Sequence, residues 1–309
     1  DGDKRFAIYD LEHPLFNVIN GGTIKNINFE NVDINRPDQN QIATLGFNLK
    51  NKGLIEDVKV TGSVTGNNDV AGIVNKIDED GKIENVAFVG KIDSVGNNST
   101  VGGIAGSNYM GFVNRAYVDA TITAQNANAS MLVPFVTYML NSWKSGTKAK
   151  VTNSVAKGVL DVKNTRNVGG IVAKTWPYGA VQDNVTYAKV IKGQEIFASN
   201  DVNDEDGGPH IKDLFGVVGY SSAEDGTGKD TKSPKKLKHL TKEEADKRVE
   251  GYKITADTFV SEPYALNTLN NASSQAHFVN IQDYNPAYKQ AYKNIEKFQP
   301  FYNKDYIVN

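Results

Sequence analysis

The sequence predicts an all-β fold, a right-handed parallel β-helix (solenoid), with a small α-helical C-terminal cap or linker. Three observations carry this expectation. First, Gly53-Leu-Ile-Glu-Asp-Val-Lys-Val-Thr-Gly62, Gly81-Lys-Ile-Glu-Asn-Val-Ala-Phe-Val-Gly90 and Gly111-Phe-Val-Asn-Arg-Ala-Tyr-Val-Asp-Ala120 repeat one pattern, with fainter copies from Gly22, Ala149 and Gly179. Second, these starts lie 31, 28, 30, 38 and 30 residues apart, and self-similarity at a near-constant period marks a stacked repeat architecture. Third, the blocks hold short runs of period 2 bounded by Gly or Asn, which suits strands and is too short for helices.

Within a repeat the elements follow in order. The first inward position is Ile24, Ile55, Ile83, Val113, Val151 and Val181 in successive copies. A bend follows at Asn26, Asp57, Asn85, Arg115, Asn153 and Asp183; Asn and Asp suit it because they tolerate left-handed backbone angles and hydrogen-bond their own main chain. A second bend is expected at Asn31, Gly62, Gly90, Ala120, Gly158 and Ala188, small residues where the chain must turn tightly. The third strand places Gly46, Gly72, Gly103 and Gly170 ahead of Phe47, Ile73, Ile104 and Ile171. There any side chain larger than hydrogen would crowd a bend or a neighbouring strand. Each strand is too short to bury its apolar face alone and must stack on the copies above and below. A leucine-rich horseshoe would need a Leu-x-x-Leu-x-Leu frame that is missing, and a propeller needs roughly 40–50 residues per blade.

The pattern predicts about seven rungs between Gly22 and Tyr220, at ~30 residues each. The fourth repeat departs from it, with Pro134 where others have Gly and an insert from Tyr138 to Lys148. His210 to Tyr220 reads as a final third strand. The expected organisation is a lead-in or cap over residues 1–21, repeats over 22–222, a linker over 223–240 and a helical segment over 241–309 that leads to the next domain. Thr241-Lys-Glu-Glu244 is a capping box that opens a helix toward Val249. Pro286 opens a second, with Tyr288, Tyr292, Ile295 and Phe298 at helical spacing before Pro300. A β-helix exposes strand edges at its ends, and this helical tail is the natural cover.

Composition narrows the function classes. Basic residues number 34 against 36 acidic ones, a net charge of −2 that argues against nucleic acid as a partner. No apolar run approaches the ~18 residues of a membrane span. Cysteine is absent, which argues against a disulfide-stapled secreted eukaryotic domain and fits an extracellular Gram-positive protein or a cytosolic one. The chain starts at Asp1 without an export signal and reads as a piece of something longer.

No catalytic, cofactor-binding or metal-ligating residue is assigned. His13, His210, His239 and His277 are scattered, and no His-Glu-x-x-His helix, Gly-x-Ser-x-Gly elbow or phosphate loop is present. Asp201, Asn203 and Glu205 have the alternate spacing of a calcium loop but lack its closing Glu, so a solvated loop is the simpler reading. The aromatic turns are more informative. The turn that joins one rung to the next holds Tyr109-Met110, then Tyr138 to Trp143, then Trp176-Pro177-Tyr178. Stacking would place Tyr109, Trp143, Trp176 and Tyr178 along one edge, either as a partner-binding surface or packed on a cap or neighbouring domain.

Val101-Gly-Gly-Ile-Ala-Gly106 and Val168-Gly-Gly-Ile-Val-Ala173 resemble the GLUG-type repeat of bacterial surface proteins. The tail from Ala291 to Lys304 is similar to the segment after such repeats in Gram-positive immunoglobulin A-specific zinc metalloproteases and close paralogues. The resemblance implies a secreted or cell-wall-associated bacterial protease whose zinc lies elsewhere in the parent protein, with no metal ligand carried by this chain. It implies a supporting role here, docking immunoglobulin A or packing on the parent's own catalytic domain. Two other classes stay open, a stand-alone adhesin or glycan-binding β-helix and a polysaccharide lyase or hydrolase. The outward positions Lys25, Glu56, Glu84, Asn114 and Gln182 mix too many types for a lyase site.

Overall fold

The repeats stack as parallel ladders. A computed structural model describes residues 6–136, 149–175, 180–191, 197–200, 218–219 and 238–259. Long strands Thr23–Arg36, Leu54–Gly66, Lys82–Ser94, Phe112–Ser130 and Val155–Gly169 pair side by side in one sheet. Shorter strands Phe16–Asn20, Gly46–Lys50, Val74–Ile77, Ala105–Asn108, Phe135–Val136, Val172–Thr175 and Phe197–Asn200 form a second. The result is a parallel β-solenoid of about five turns, as the repeat predicts, although with fewer turns than seven. Phe6–Tyr9 and Phe16–Asn20 each add a strand ahead of Gly22, so both sheets begin before the first recognisable repeat.

The inward column is in register from end to end: Ile24 pairs with Ile55, Ile55 with Ile83, Ile83 with Val113, Val113 with Val151 and Val151 with Val181. All are buried except Ile24 in the first turn, which packs half-buried against the same core. A second inward column, Phe29, Val60, Phe88, Val118 and Ala156, alternates large with small and so fills the interior without crowding it. The bend residues are all left-handed, with φ between 51° and 55° at Asn26, Asp57, Asn85, Arg115, Asn153 and Asp183.

Several local expectations are corrected. In the first five repeats the strands on either side of the second bend run together as one long strand, with the bend inside it. In the sixth, Ala188 stands between Val185–Thr186 and Lys189–Val190. Gly62, Gly90 and Gly158 lie at this bend with φ of 129°, 150° and 100°. Gly62 stands opposite Val32, because the pairing is irregular between Phe29 and Val32 and Asn31 falls inside that irregularity. The third strand is broken in two: Ser99–Gly102 stays with the long-strand sheet and Ala105–Asn108 joins the other. Gly103 stands at the corner between them, where a Cβ would lie 2.0 Å from the Met131 carbonyl oxygen of the next turn.

In the first copy Leu45 donates to the Ile73 carbonyl, and Ile73 donates to that of Ile104. Thr44 and Leu45 are therefore the equivalents of Gly72 and Ile73, in place of Gly46 and Phe47. In the fourth copy Met131 and Leu132 take the places of Gly103 and Ile104, so Met131, and not Pro134, interrupts the glycine column. Val218–Gly219 pairs with Lys238–His239 in a separate two-stranded sheet, so it is not a final rung of the main ladder. The insert, the Asp201 run and the helix expected from Pro286 lie outside the described residues.

Candidate functional site

The helix read from its capping box is present over Lys242–Tyr252, with Thr241 accepting from Glu244 N–H and the Glu244 carboxylate accepting from Thr241 N–H. It ends on Lys253 in the left-handed region at φ 52°. It covers the outer face of the long-strand sheet lengthwise, and the residues after it continue along that face. The covered column is in register as Asn28, Lys59, Ala87, Tyr117, Val155 and Val185. Leu240 and Ala245 pack on Val185, while Ile254 and Phe259 join Ala87, Tyr117 and Val155 in one buried cluster. Such a cover keeps large apolar side chains on an outward-pointing position out of water.

Polar contacts fix this strap at both ends. Near the last turn, Tyr187 donates to Asp246 at 2.8 Å, Arg248 pairs with Asp183 at 2.8 Å, and the Tyr252 hydroxyl donates to the Asp183 carbonyl. In the middle, Arg115 donates to the Lys253 carbonyl at 3.3 Å. At the first turn, the buried Asn28 side chain donates to the Phe259 carbonyl at 2.9 Å. The Arg248 pair is half-buried and still open to solvent, so it contributes about 1 kcal/mol; the apolar contacts hold the strap.

Burial, reinforced by the Asp119 carboxylate, pushes the Tyr117 phenol up to about 12 from 10.0. Burial also pushes Tyr252 up to about 12, against an opposing effect of Arg248. Both phenols stay protonated in the folded chain after an unfolded tyrosine has ionised. Their stabilising contribution is complete below pH 10 and is lost as pH rises through about 12. Denaturant midpoints should fall across that window, and Tyr117→Phe should flatten the fall. An ultraviolet tyrosinate titration in which Tyr117→Phe removes no late-ionising group would contradict this.

The outward polar column is also in register, and an ion pair and hydrogen bonds link several of its neighbours. Lys25 pairs with Glu56 at 2.7 Å, Asn114 donates to Glu84 at 2.7 Å, and Thr152 donates to Asn114 at 2.9 Å. Burial raises the Glu84 carboxyl above its ordinary range, while the Asn114 hydrogen bond opposes this.

Of the predicted aromatic edge, Tyr109 is described. Its ring is half-buried, packs on Phe135 at 5.8 Å between centroids with a 59° tilt, and lies 4.7 Å beneath the Lys76 ammonium. Lys76 is in turn 2.5 Å from the Asp78 carboxylate. Trp143, Trp176 and Tyr178 lie outside the described residues, as do residues 201–205. Sequence reasoning missed the strap-covered column. Its signal was apolar residues at Ala87, Tyr117, Val155 and Val185, on the side of the strand that faces away from the core.

Comparison with known proteins agrees with this architecture. Residues 1–62 match the family described as the M26 IgA1-specific metallo-endopeptidase N-terminal region. The chain is 52% identical over 308 residues to zinc metalloprotease ZmpB of Streptococcus pneumoniae, covering 99% of this chain and 16% of that protein. It is 30% identical over 317 residues to zinc metalloprotease ZmpC of the same species, covering 100% of this chain and 16% of that protein. It is 25% identical over 322 residues to an immunoglobulin A1 protease of Streptococcus sanguinis, covering 99% of this chain and 16% of that protein. A solved IgA1 protease structure shares the fold, with a TM-score of 0.56 at 20% identity over 71% of this chain and 17% of that one. The chain thus spans 16% of the length of these curated relatives. From end to end it is homologous to one stretch of the streptococcal zinc metalloproteases and immunoglobulin A1 proteases, the family that its sequence resembles.

Proposed function

We propose that this chain is a non-catalytic β-solenoid region of a secreted or surface-held bacterial zinc metalloendopeptidase, and that it positions an antibody substrate or scaffolds the catalytic part. The observation that carries this reading is the unbroken similarity to ZmpB over 99% of the chain, against only 16% of that enzyme. Among the described residues no three His, Asp or Glu side chains stand together as metal ligands do, so those residues do not fit a zinc site. Zinc belongs to the parent protein in this reading. Among the described residues, too, no helix is long and apolar enough to cross a membrane.

The proposed contact surface is the edge of Tyr109, Trp143, Trp176 and Tyr178. Each aromatic ring can bury ~150–250 Å² on a partner, which is enough for a few of them to dominate docking. The test immobilises the 309-residue chain and presents immunoglobulin A1, then separately the catalytic part of ZmpB. One of the two should bind, and alanine at Trp176 and Tyr178 should weaken binding while leaving the melting temperature nearly unchanged. Binding to neither, with capture of a glycan instead, would favour the adhesin reading. Chelated chain reloaded with zinc should retain none and should leave immunoglobulin A1 uncut; one zinc per chain together with cleavage would overturn the non-catalytic assignment.

A further inference from the structure

Residues 240–259 run along the solenoid axis from its last turns back to its first. Leu240 and Ala245 lie against Val185, Ile254 and Phe259 belong to the cluster of Val155, Tyr117 and Ala87, and the Phe259 carbonyl ends on Asn28. Asn28 pairs with Ala7 in the first turn, so Ala7 and Phe259 touch the same residue. From Val185 to Asn28 the column passes through Val155, Tyr117, Ala87 and Lys59. At about 4.8 Å per ladder step this return path covers roughly 24 Å. Tyr252 still touches Asp183 of the last turn, Lys253 meets Arg115 in the middle, and a short 3-10 turn over Ala256–Thr258 leads to Phe259 on Asn28.

We infer that this solenoid is a side arm and not a spacer. The flank ahead of Ala7 and the flank beyond Phe259 attach at the same turn, while the turn that carries Val185–Thr186 and Lys189–Val190 lies at the other end of the described ladder and forms the tip. A spacer would hold the flanking parts of a longer protein apart by the length of the stack. A side arm leaves them neighbours at its base and extends its tip toward a partner. The inference goes beyond the proposed function, since it holds whichever partner the arm meets. The latch at the base is apolar and dry, with Ile254 0% and Phe259 1% exposed and the Asn28 amide buried against the Phe259 carbonyl.

The absence of cysteine allows spin labels to be placed in pairs on the full 309-residue chain without background. Asp33 and Lys189 are exposed and belong to one outward column, at the first and last turns respectively, and Glu243 and Asp257 are exposed at the two ends of the strap. Electron–electron distances should place Asp257→Cys nearer to Asp33→Cys than to Lys189→Cys, and Glu243→Cys the other way round. The Asp33–Lys189 distance reports that the ladder is intact. Phe259→Asp should broaden the 257–33 distribution while leaving the 33–189 distance unchanged, and Phe259→Ala should do the same to a lesser degree. A label at 257 nearer to 189, or spread broadly in the unsubstituted strap, would overturn the inference. A sharp 257–33 distance that survives Phe259→Asp would overturn the latch.

Discussion

Replacing Ile83 with Asp unfolds the middle of the solenoid. Ile83 is 1% exposed and sits between Ile55 below and Val113 above, with no polar partner within the column. The substitution removes ~2 kcal/mol of apolar burial and adds an unpaired carboxylate to a dry interior, for a total of roughly 4–5 kcal/mol or more. Ile83→Val, which removes one methyl group, should cost about 0.5–1.5 kcal/mol. Because each turn contacts mainly its neighbours, losing the third turn uncouples the turns on either side. Urea unfolding followed by circular dichroism should show an early transition, or no folded chain at all. A midpoint equal to that of the parent chain would mean that Ile83 faces solvent.

Gly90→Val is the second large effect. The backbone there has φ 150°, and a Cβ would stand 1.9 Å from the Gly62 carbonyl oxygen of the preceding turn. That oxygen is backbone in a paired strand, so it cannot move without disturbing the ladder. Backbone strain of about 1–3 kcal/mol and overpacking of about 1–3 kcal/mol add up to a loss that a domain of ordinary stability barely tolerates. Gly251 provides the contrast: it lies in the helix with nothing within 4 Å of its would-be Cβ. Gly251→Ala should stabilise by about 0.4–1 kcal/mol. Thermal melts that rank the two substitutions the other way would contradict the stacking described for the glycine column.

The fold is legible in the sequence because the repeat writes the same physical requirement several times. Ile55, Ile83 and Val113 can be aligned by type, and once they are, the bend falls two residues later even at Arg115, whose side chain does not by itself ask for a left-handed backbone. In the first copy the alignment slips by two residues, Phe47 for Leu45. A slip of two keeps each side chain on the same face of a strand, so alternation cannot detect it. The break of the third strand at Gly103-Ile104 is hidden for a related reason, since a corner between two sheets leaves the period-2 pattern intact on either side. The strap is legible as a helix but not as a position, because its partners are up to 231 residues away in sequence. Outward-facing Tyr117 and Val155 mark where something has to lie, without saying what. Of the aromatic edge, stacking places Tyr109 on a turn beside Phe135, while the other three members rest on the alignment of rungs.

The contact of Asn28 with Phe259 has a mechanical meaning. In a chain pulled from both ends, tension normally passes through every module in series, and each must resist it. Here the chain reaches the first turn at Ala7 and returns to it at Phe259, so a pull on the two flanks is carried by the base. The turns beyond it lie outside the line of force. The ladders beyond the base then stay unloaded by such a pull.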